Sequence, residues 1–211
     1  MKHNETNNIY NQFAIEYDQW FDKHSNLYQS ELLAMKQAVP AQGIGIEIGV
    51  GSGRFAKPLN IKCGVEPSES MAKIAEERGM KIINAVAENL PIENHSYDFA
   101  TMVTTVCFLS DIPKAFSEVH RILKPGGDFI IGLIDKESTL GKKYEQQKNS
   151  NKFYKDAHFH STSEITELLS NSGFGNFSFW QTIIHPQENQ IEKPQPGYGK
   201  GSFVVIKSIK I

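Results

Sequence analysis

Ile46-Glu47-Ile48-Gly49-Val50-Gly51-Ser52-Gly53-Arg54-Phe55 is the run on which the reading of this chain turns. A short apolar stretch leads into three glycines at alternate positions, a pattern that predicts a strand, a tight turn and then a helix. Glycines at such a turn let backbone come close to a ligand without a side chain in the way. A dinucleotide fingerprint wants glycine at relative positions one, three and six; here the sixth position is Arg54. A phosphate-binding P-loop would end in Gly-Lys-Ser/Thr, which is missing as well. Glu47 would repel a phosphate, and the same carboxylate suits a cationic ligand.

Outward from that run, the rest of the chain falls into an alternating pattern. Strands are expected at Ile44–Ile48, Lys62–Glu66, Met80–Val86, Tyr97–Val103, Asp128–Ile134, Asn176–Ile183 and Ser202–Lys207. Helices are expected at Ser68–Arg78, ended by Gly79, and at Ile112–Leu123, opened by Asp111 and Pro113 and ended by Pro125-Gly126-Gly127. A further helix over Thr162–Ser172 carries the capping box Ser161-x-x-Glu164 and stops at Gly173. Asp before an early Pro, and Gly past the end, are the start and stop chemistry of helices. Ahead of the glycine run, Ile9, Phe13, Tyr17 and Trp20 recur at helical spacing, and a second helix from Leu27 to Val39 stops before Pro40. The expected fold is therefore α/β: a Rossmann-like, seven-stranded, mostly parallel sheet with an antiparallel last strand, helices on both faces and an N-terminal helical lid. Two segments break the rhythm, Lys136–Phe159 and the Pro- and Gly-rich Ile184–Gly201, where Pro186, Pro194 and Pro196 fall. Long connections of this kind are usually functional.

Seventeen residues after Gly49, Glu66 closes the second strand. An acidic side chain there can accept both hydroxyl hydrogens of a ribose. The two elements together predict a pocket for a ribonucleoside whose attached group carries a positive amine, and S-adenosylmethionine is such a molecule. Five segments carry a wider resemblance: Glu47–Gly53, Gly64-Val65-Glu66-Pro67-Ser68-Glu69-Ser70-Met71, Ala87-Glu88-Asn89-Leu90-Pro91, Ser96-Tyr97-Asp98-Phe99 and Arg121-Ile122-Leu123-Lys124-Pro125-Gly126-Gly127. In this order they resemble the signature blocks of class I S-adenosylmethionine-dependent methyltransferases, within them the ubiquinone/menaquinone-biosynthesis-like, type 11 group.

The resemblance implies a cofactor site. Gly49, Gly51 and Gly53 would pass beside the methionine moiety, with Glu47 near its amino group. Glu66 would hold the ribose, Ala87 and Glu88 would lie beside the adenine, and Thr104 with Thr105 would floor the site of the methyl sulfur. Tyr17 resembles a family tyrosine that closes over the cofactor carboxylate. One departure is Val86, where relatives carry an Asp that accepts from the adenine amino group. The expected division is one methyltransferase domain over 1–211: a helical lid (1–40), a cofactor-binding core (43–135), a lid insert (136–160) and a C-terminal helix with strands (161–211).

The acceptor side is less defined. Its candidates are Cys107, Asp135, Tyr154, His158 and His160. Asp135 reads either as a base or as a structural cap, and His160 either as a base or, with His158, as pocket lining. A metal site would need a third ligand that the sequence does not supply, so no metal is expected. Cys107 reads as a small buried hydrophobe. Between Lys142 and Lys155 five lysines meet one acid, Glu145; this is either a solvated helix face or a lid facing an anionic acceptor.

Other classes fit worse. Tyr144-x-x-x-Lys148 matches the pair of short-chain dehydrogenases, but the glycine spacing and first strand do not. Nucleic-acid amino-methyltransferases carry an Asn/Asp-Pro-Pro-aromatic run where this chain has Thr104-Thr105-Val106-Cys107-Phe108, which favours a small-molecule acceptor. A non-catalytic S-adenosylmethionine-binding regulatory protein is the alternative to an enzyme. The 211 residues hold 22 Lys plus Arg against 24 Asp plus Glu, a net charge of −2, which argues against partners recruited by bulk charge such as nucleic acid or a membrane surface. With no long apolar run, a polar start and two unpaired cysteines, a cytoplasmic location is expected.

Overall fold

The computed structural model describes residues 2–185 and 190–211, with side chains from residue 9 onward; Pro186 lies outside the described residues. Two helices come first, α1 (Lys2–Lys23) and α2 (Ser25–Ala38). The alternating part follows as β1 (Gly45–Ile48), β2 (Cys63–Val65), α3 (Glu69–Glu77), β3 (Lys81–Ile83), β4 (Tyr97–Val103), α4 (Ile112–Ile122) and β5 (Leu123–Ile134). The chain ends with α5 (Thr139–Gln147), α6 (Thr162–Asn171), β6 (Phe174–Thr182), β7 (Gln195–Pro196) and β8 (Phe203–Lys210).

The sheet order is β3-β2-β1-β4-β5-β8-β6-β7. β1 to β5 are mutually parallel, whereas β8 runs antiparallel between β5 and β6. The antiparallel last strand is as expected. The strand count is eight rather than seven, because Gln195 and Pro196 pair with Gln181 and Trp180 at the edge. An edge strand is where a proline can sit, since its missing N–H interrupts no ladder.

Three further differences have local causes. No α-helix opens after the glycine run; the chain makes one 3₁₀ turn, Lys57–Leu59, which leaves through Asn60 in a left-handed conformation. Pro58 sits inside that turn and allows no helix to propagate through it. α1 is kinked at Phe13; of the expected Ile9/Phe13/Tyr17/Trp20 stripe, Tyr17 and Trp20 pack against the core, where Phe21 joins them, while Tyr10, Tyr17 and Phe21 face the crevice. Part of the 136–160 insert is helical: Ser138 caps α5 by accepting from the Gly141 N–H at 3.0 Å.

Two apolar layers cover the sheet. α4 presents Ile112, Ala115, Phe116, Val119 and Ile122 to one face, where Phe129, Ile131 and Phe174 meet them. Fully burying such side chains contributes about 1.5–3 kcal/mol each for the larger ones. On the other face, Leu32, Ala34 and Met35 of α2 pack with Val103, Ile130, Phe203 and Val205. The strand order reverses between β1 and β4, which opens a crevice beyond their carboxyl ends, the place where open α/β sheets bind ligands. α1 lies across that crevice. No helix is long and apolar enough to cross a membrane among the described residues.

Candidate active site

The crevice is a cavity of roughly 710 Å³, mouth included, walled by the glycine turn, Glu47, Glu66, Met71, Thr104, Thr105, Phe108 and the inward face of α1. Gly49, Gly51 and Gly53 all have positive φ, at 71°, 55° and 80°. At Gly49 a Cβ would collide with the Thr105 side chain, and at Gly53 it would come within 2.6 Å of Met80 Sδ. Backbone therefore forms that wall because side chains cannot. The turn is tied to its neighbours: Gly49 N and Val50 N donate to Val65 O at 2.8 and 3.0 Å, and Thr105 Oγ1 donates to Gly49 O at 3.1 Å.

Two carboxyls face this space. Glu66 is braced by N–H donors from Gly51 at 2.8 Å and Ser68 at 2.9 Å, one to each oxygen. Burial nonetheless pushes it up to about 7. Glu47 is 2% exposed, its Oε2 is buried with no hydrogen-bond partner, and burial pushes it up to about 8. A carboxylate left so is costly unless something arrives to pair with it. Thr104 holds φ at 49°, a conformation rare for a β-branched residue and one that structures maintain mainly at functional sites. It lines both the main cavity and a smaller one behind it, which is walled by Cys107, Ile134, Tyr154, Phe159 and His160. Tyr17 reaches Thr104 through a side-chain hydrogen bond, and burial holds its phenol well above the usual range. A third cavity, sharing Gly49, Pro67, Thr105 and Phe108 with the first, is lined by Val86, Ala87 and Glu88.

Comparison with known proteins fits this geometry. A methyltransferase-domain family profile of type 11 matches residues 46–131. A solved structure from Thermotoga maritima, described as an S-adenosylmethionine-dependent methyltransferase and "possible histamine N-methyltransferase", superposes with a TM-score of 0.94 at 50% identity, over 97% of this chain and 99% of that one. The chain belongs to the S-adenosylmethionine-dependent methyltransferases. It is also 47% identical to a protein of unassigned function from Methanocaldococcus jannaschii, over 97% of this chain and all of that one. A 2-phytyl-1,4-naphthoquinone methyltransferase of Nostoc punctiforme is 28% identical over 71% of this chain and 73% of its own.

For a methyltransferase the donor is S-adenosylmethionine, and the groups present fit it. The unpartnered Glu47 oxygen suits an ammonium, the braced Glu66 keeps lone pairs for hydroxyls, and the glycine wall has room for an amino-acid moiety. The sequence-expected cofactor residues Tyr17, Glu47, Gly49, Gly51, Glu66 and Thr104 line the first cavity, and Ala87 and Glu88 the third. Gly53 stands behind, packed toward Met80.

The acceptor-side expectations are sorted differently. Asp135 lines none of these three cavities: its oxygens accept from Glu137 N at 2.8 Å, Thr162 N at 3.1 Å and Thr162 Oγ1. It is the structural cap between β5 and α6. His160 lines the small cavity, and burial lowers it below the usual imidazole range. His158 donates its backbone N–H to Cys107 O at 2.7 Å, and no cluster of three potential metal ligands forms among the described residues. Cys107 is buried and its thiol is pushed up to about 12. The lysines of the insert turn outward: Lys142 pairs with Glu137, Lys148 with Glu145 and Lys152 with Glu16. The cations lining the three cavities are Arg54 and, when protonated, His160.

Sequence reading missed how the lid is fastened. Asp18 of α1, 13% exposed, accepts from Arg54 Nε at 2.9 Å and Nη2 at 2.7 Å, from both Arg78 Nη atoms at 2.7 Å, and from Ser52 Oγ. Burial would raise its carboxyl, but these donors outweigh burial and hold it far below the usual range. Asn11 Oδ1 accepts from Ser68 Oγ at 2.8 Å and Ser70 N at 3.1 Å, and Tyr10 OH donates to Phe153 O at 3.3 Å. Arg54, at the sixth position of the glycine run, was the one visible signal: a cation there needs an acid from elsewhere.

Proposed function

We propose that this chain moves the methyl group of S-adenosylmethionine to a small organic acceptor that is enclosed beneath α1 and the 136–160 insert. The observation that carries the reading is the enclosure itself. The space next to Thr104 is closed by Tyr10, Tyr17, Phe21 and Phe108 on one side and by Tyr154 and Phe159 on the other. Such a lining supports a small-molecule acceptor over a duplex or a folded partner.

When bound, S-adenosylmethionine supplies an electrophilic methyl group on a sulfonium with a neutral thioether as leaving group. The chain's work is then positioning. Glu47 pairs with the amino group, Glu66 accepts from the ribose hydroxyls, and Ala87 and Glu88 border the base. Val86 offers no side-chain acceptor there, so adenine recognition would fall to a backbone carbonyl or to Glu88. Thr104 and Tyr17 fix the point where the methyl faces the acceptor, and the aromatic lid keeps water out. Ordered geometry of this kind can supply about 7–11 kcal/mol of a two-reactant barrier. We assign Asp135 to the cap rather than to proton transfer, and the outward-facing lysines to solvent rather than to an anionic acceptor. The acceptors named for the relatives, histamine for one and a phytyl naphthoquinone for another, are likewise small organic molecules.

The test is release of S-adenosylhomocysteine during incubation with S-adenosylmethionine and pooled small metabolites, with transfer of labelled methyl followed by mass spectrometry. A methylated small molecule is the expected result. Tight cofactor binding with no turnover across broad pools would favour a regulatory cofactor-binding role instead.

A further inference from the structure

Glu31 interrupts the apolar stripe that α2 lays against the sheet. Around it on the helix stand Leu27, Tyr28, Leu32, Ala34, Met35 and Ala38, all buried or packed against the same core. Glu31 itself is 5% exposed. No described residue hydrogen-bonds its carboxyl, and burial alone pushes it up to about 8. A leucine or methionine there would pack better than an acid with nothing to pair with. The site is therefore poorly explained by folding.

Its surroundings say what it faces. Its helix packs into the same apolar layer as Tyr17 on α1, Tyr144 on α5 and Tyr154 in the insert, together with Tyr28 on its own helix, and a charge on Glu31 would raise all four phenols. These rings form one wall. Tyr144 and Tyr154 stack at 5.1 Å between centroids, Phe159 closes against them at 6.0 and 5.8 Å, and Phe108 lies parallel to Tyr154 at 6.5 Å. Tyr154 and Phe159 line the small cavity behind Thr104, and Tyr17 lines the cofactor cavity in front of it.

Among the described residues, no cation forms an ion pair with this carboxyl. Arg54 and Arg78 are consumed by Asp18, and Lys142, Lys148 and Lys152 pair on the outside. His160 is disfavoured as a cation by burial. A buried acid among π-faces, without a cation of its own, is the chemistry that recognises an alkylammonium.

We propose that the methyl acceptor is an amine and that Glu31 is the carboxylate that holds its ammonium within the Tyr17–Tyr144–Tyr154 wall; for transfer one N–H proton would pass to that carboxylate, the freed lone pair would form the N–C bond, and the C–S bond of the donor would break to leave a neutral thioether. This rests on the methyltransferase reading of the same cavity and adds the acceptor's class and a specificity-determining residue. Glu31 is not among the residues that line the cofactor cavity, so cofactor affinity is expected not to depend on it.

The experiment uses the full chain saturated with S-adenosylhomocysteine and titrates amines of graded size by calorimetry: methylamine, 1,4-diaminobutane, histamine and 2-phenylethylamine. The isosteres 2-phenylethanol and 3-phenylpropionate are titrated alongside. At least one amine is expected to bind about tenfold or more tightly than its neutral or anionic isostere. In Glu31→Gln that amine loses about 30-fold or more in affinity, whereas the S-adenosylhomocysteine Kd moves less than about threefold. The variant is nearly isosteric, and its melting temperature is expected to hold or rise because a buried acid is gone. Unchanged amine affinity in Glu31→Gln, preference for the acid or alcohol, or no amine binding to the wild type would each overturn the proposal. Failure of the wild type to bind S-adenosylhomocysteine would overturn the cofactor reading with it.

Discussion

Glu47 makes a prediction that can be worked through in numbers. Its carboxyl is held up to about 8 by burial, and one oxygen has no partner. On the proposed reading the cofactor's ammonium would sit against it, and the ionised form would become the stable one far below neutrality. Binding must therefore release the proton that Glu47 carries at neutral pH, and affinity must rise as the free protein loses that proton for itself. From pH 6 to pH 8 the ionised fraction of a group titrating at 8 rises from about one in a hundred to one half, which makes binding about 50-fold tighter, or about 2 kcal/mol. Glu66, at about 7, contributes up to about another tenfold in the same window, since hydroxyl donors also favour its ionised form.

The assay is calorimetric titration of S-adenosylhomocysteine at pH 6, 7 and 8 in two buffers of different ionisation enthalpy, which counts protons directly. Wild type is expected to release about one proton or slightly more at pH 7 and to tighten steeply with pH. Glu47→Gln removes both the titration and the charge. Its Kd at pH 8 rises by about 10²-fold, its Kd at pH 6 stays near the wild-type value, and only the shallow tenfold slope of Glu66 is left. A wild-type Kd that is flat between pH 6 and 8, or a Glu47→Gln variant that keeps the full slope, would refute the reasoning.

Other expectations follow from the same map of charges. Glu31 and Glu47 are both raised by burial, so the folded state holds their protons more tightly than the unfolded one. Their contribution to stability is fully present below about pH 4.5 and is lost as pH rises toward 8; ligand-free melting temperature should fall across that window, and Glu31→Gln should flatten the fall. Asp18→Ala leaves Arg78 without its acid and Arg54 with only the exposed Asp22 beneath α1. It should cost about 2–4 kcal/mol by denaturant titration, speed proteolysis of α1 and weaken S-adenosylhomocysteine binding. Ser161→Ala breaks the capping box of α6, in which Ser161 Oγ accepts from Glu164 N at 3.1 Å and Glu164 accepts from Ser161 N at 2.8 Å. About 1 kcal/mol of stability should go, with cofactor affinity unchanged.

The cavity proposed for the cofactor was legible because backbone builds it. A glycine that must hold φ near 71° beside Thr105, or an acid that ends β2 and accepts from Gly51 N, leaves a mark at one position in the chain. The strands were equally plain: β4 lies over Tyr97–Val103 as its apolar run predicts. What stayed hidden depends on contacts distant in sequence. Asp18 meets Arg54 and Arg78 across 36 and 60 residues, and no local pattern marks that meeting. The α5 helix lacks a strong apolar stripe to announce it, since Gly141 is its one buried residue. Asp135 could be read from the sequence as acid or as cap, and only Thr162, brought to it by the fold, decides for the cap.

The lysine-rich insert shows how far the same limit reaches. Its local excess of positive charge is real, yet charge along a sequence says nothing about which side of a lid it occupies. Lys152 lies over Phe13 at 4.0 Å and pairs with Glu16, which rivets the insert to the outside of α1. Inside, the same insert presents Tyr154 and Phe159. The charge proposed to bear on the acceptor is thus a single glutamate on α2, set in a stripe that sequence periodicity reads as core. On the proposed reading, specificity would depend less on net local charge than on a buried carboxyl, Glu31, that forms no ion pair among the described residues.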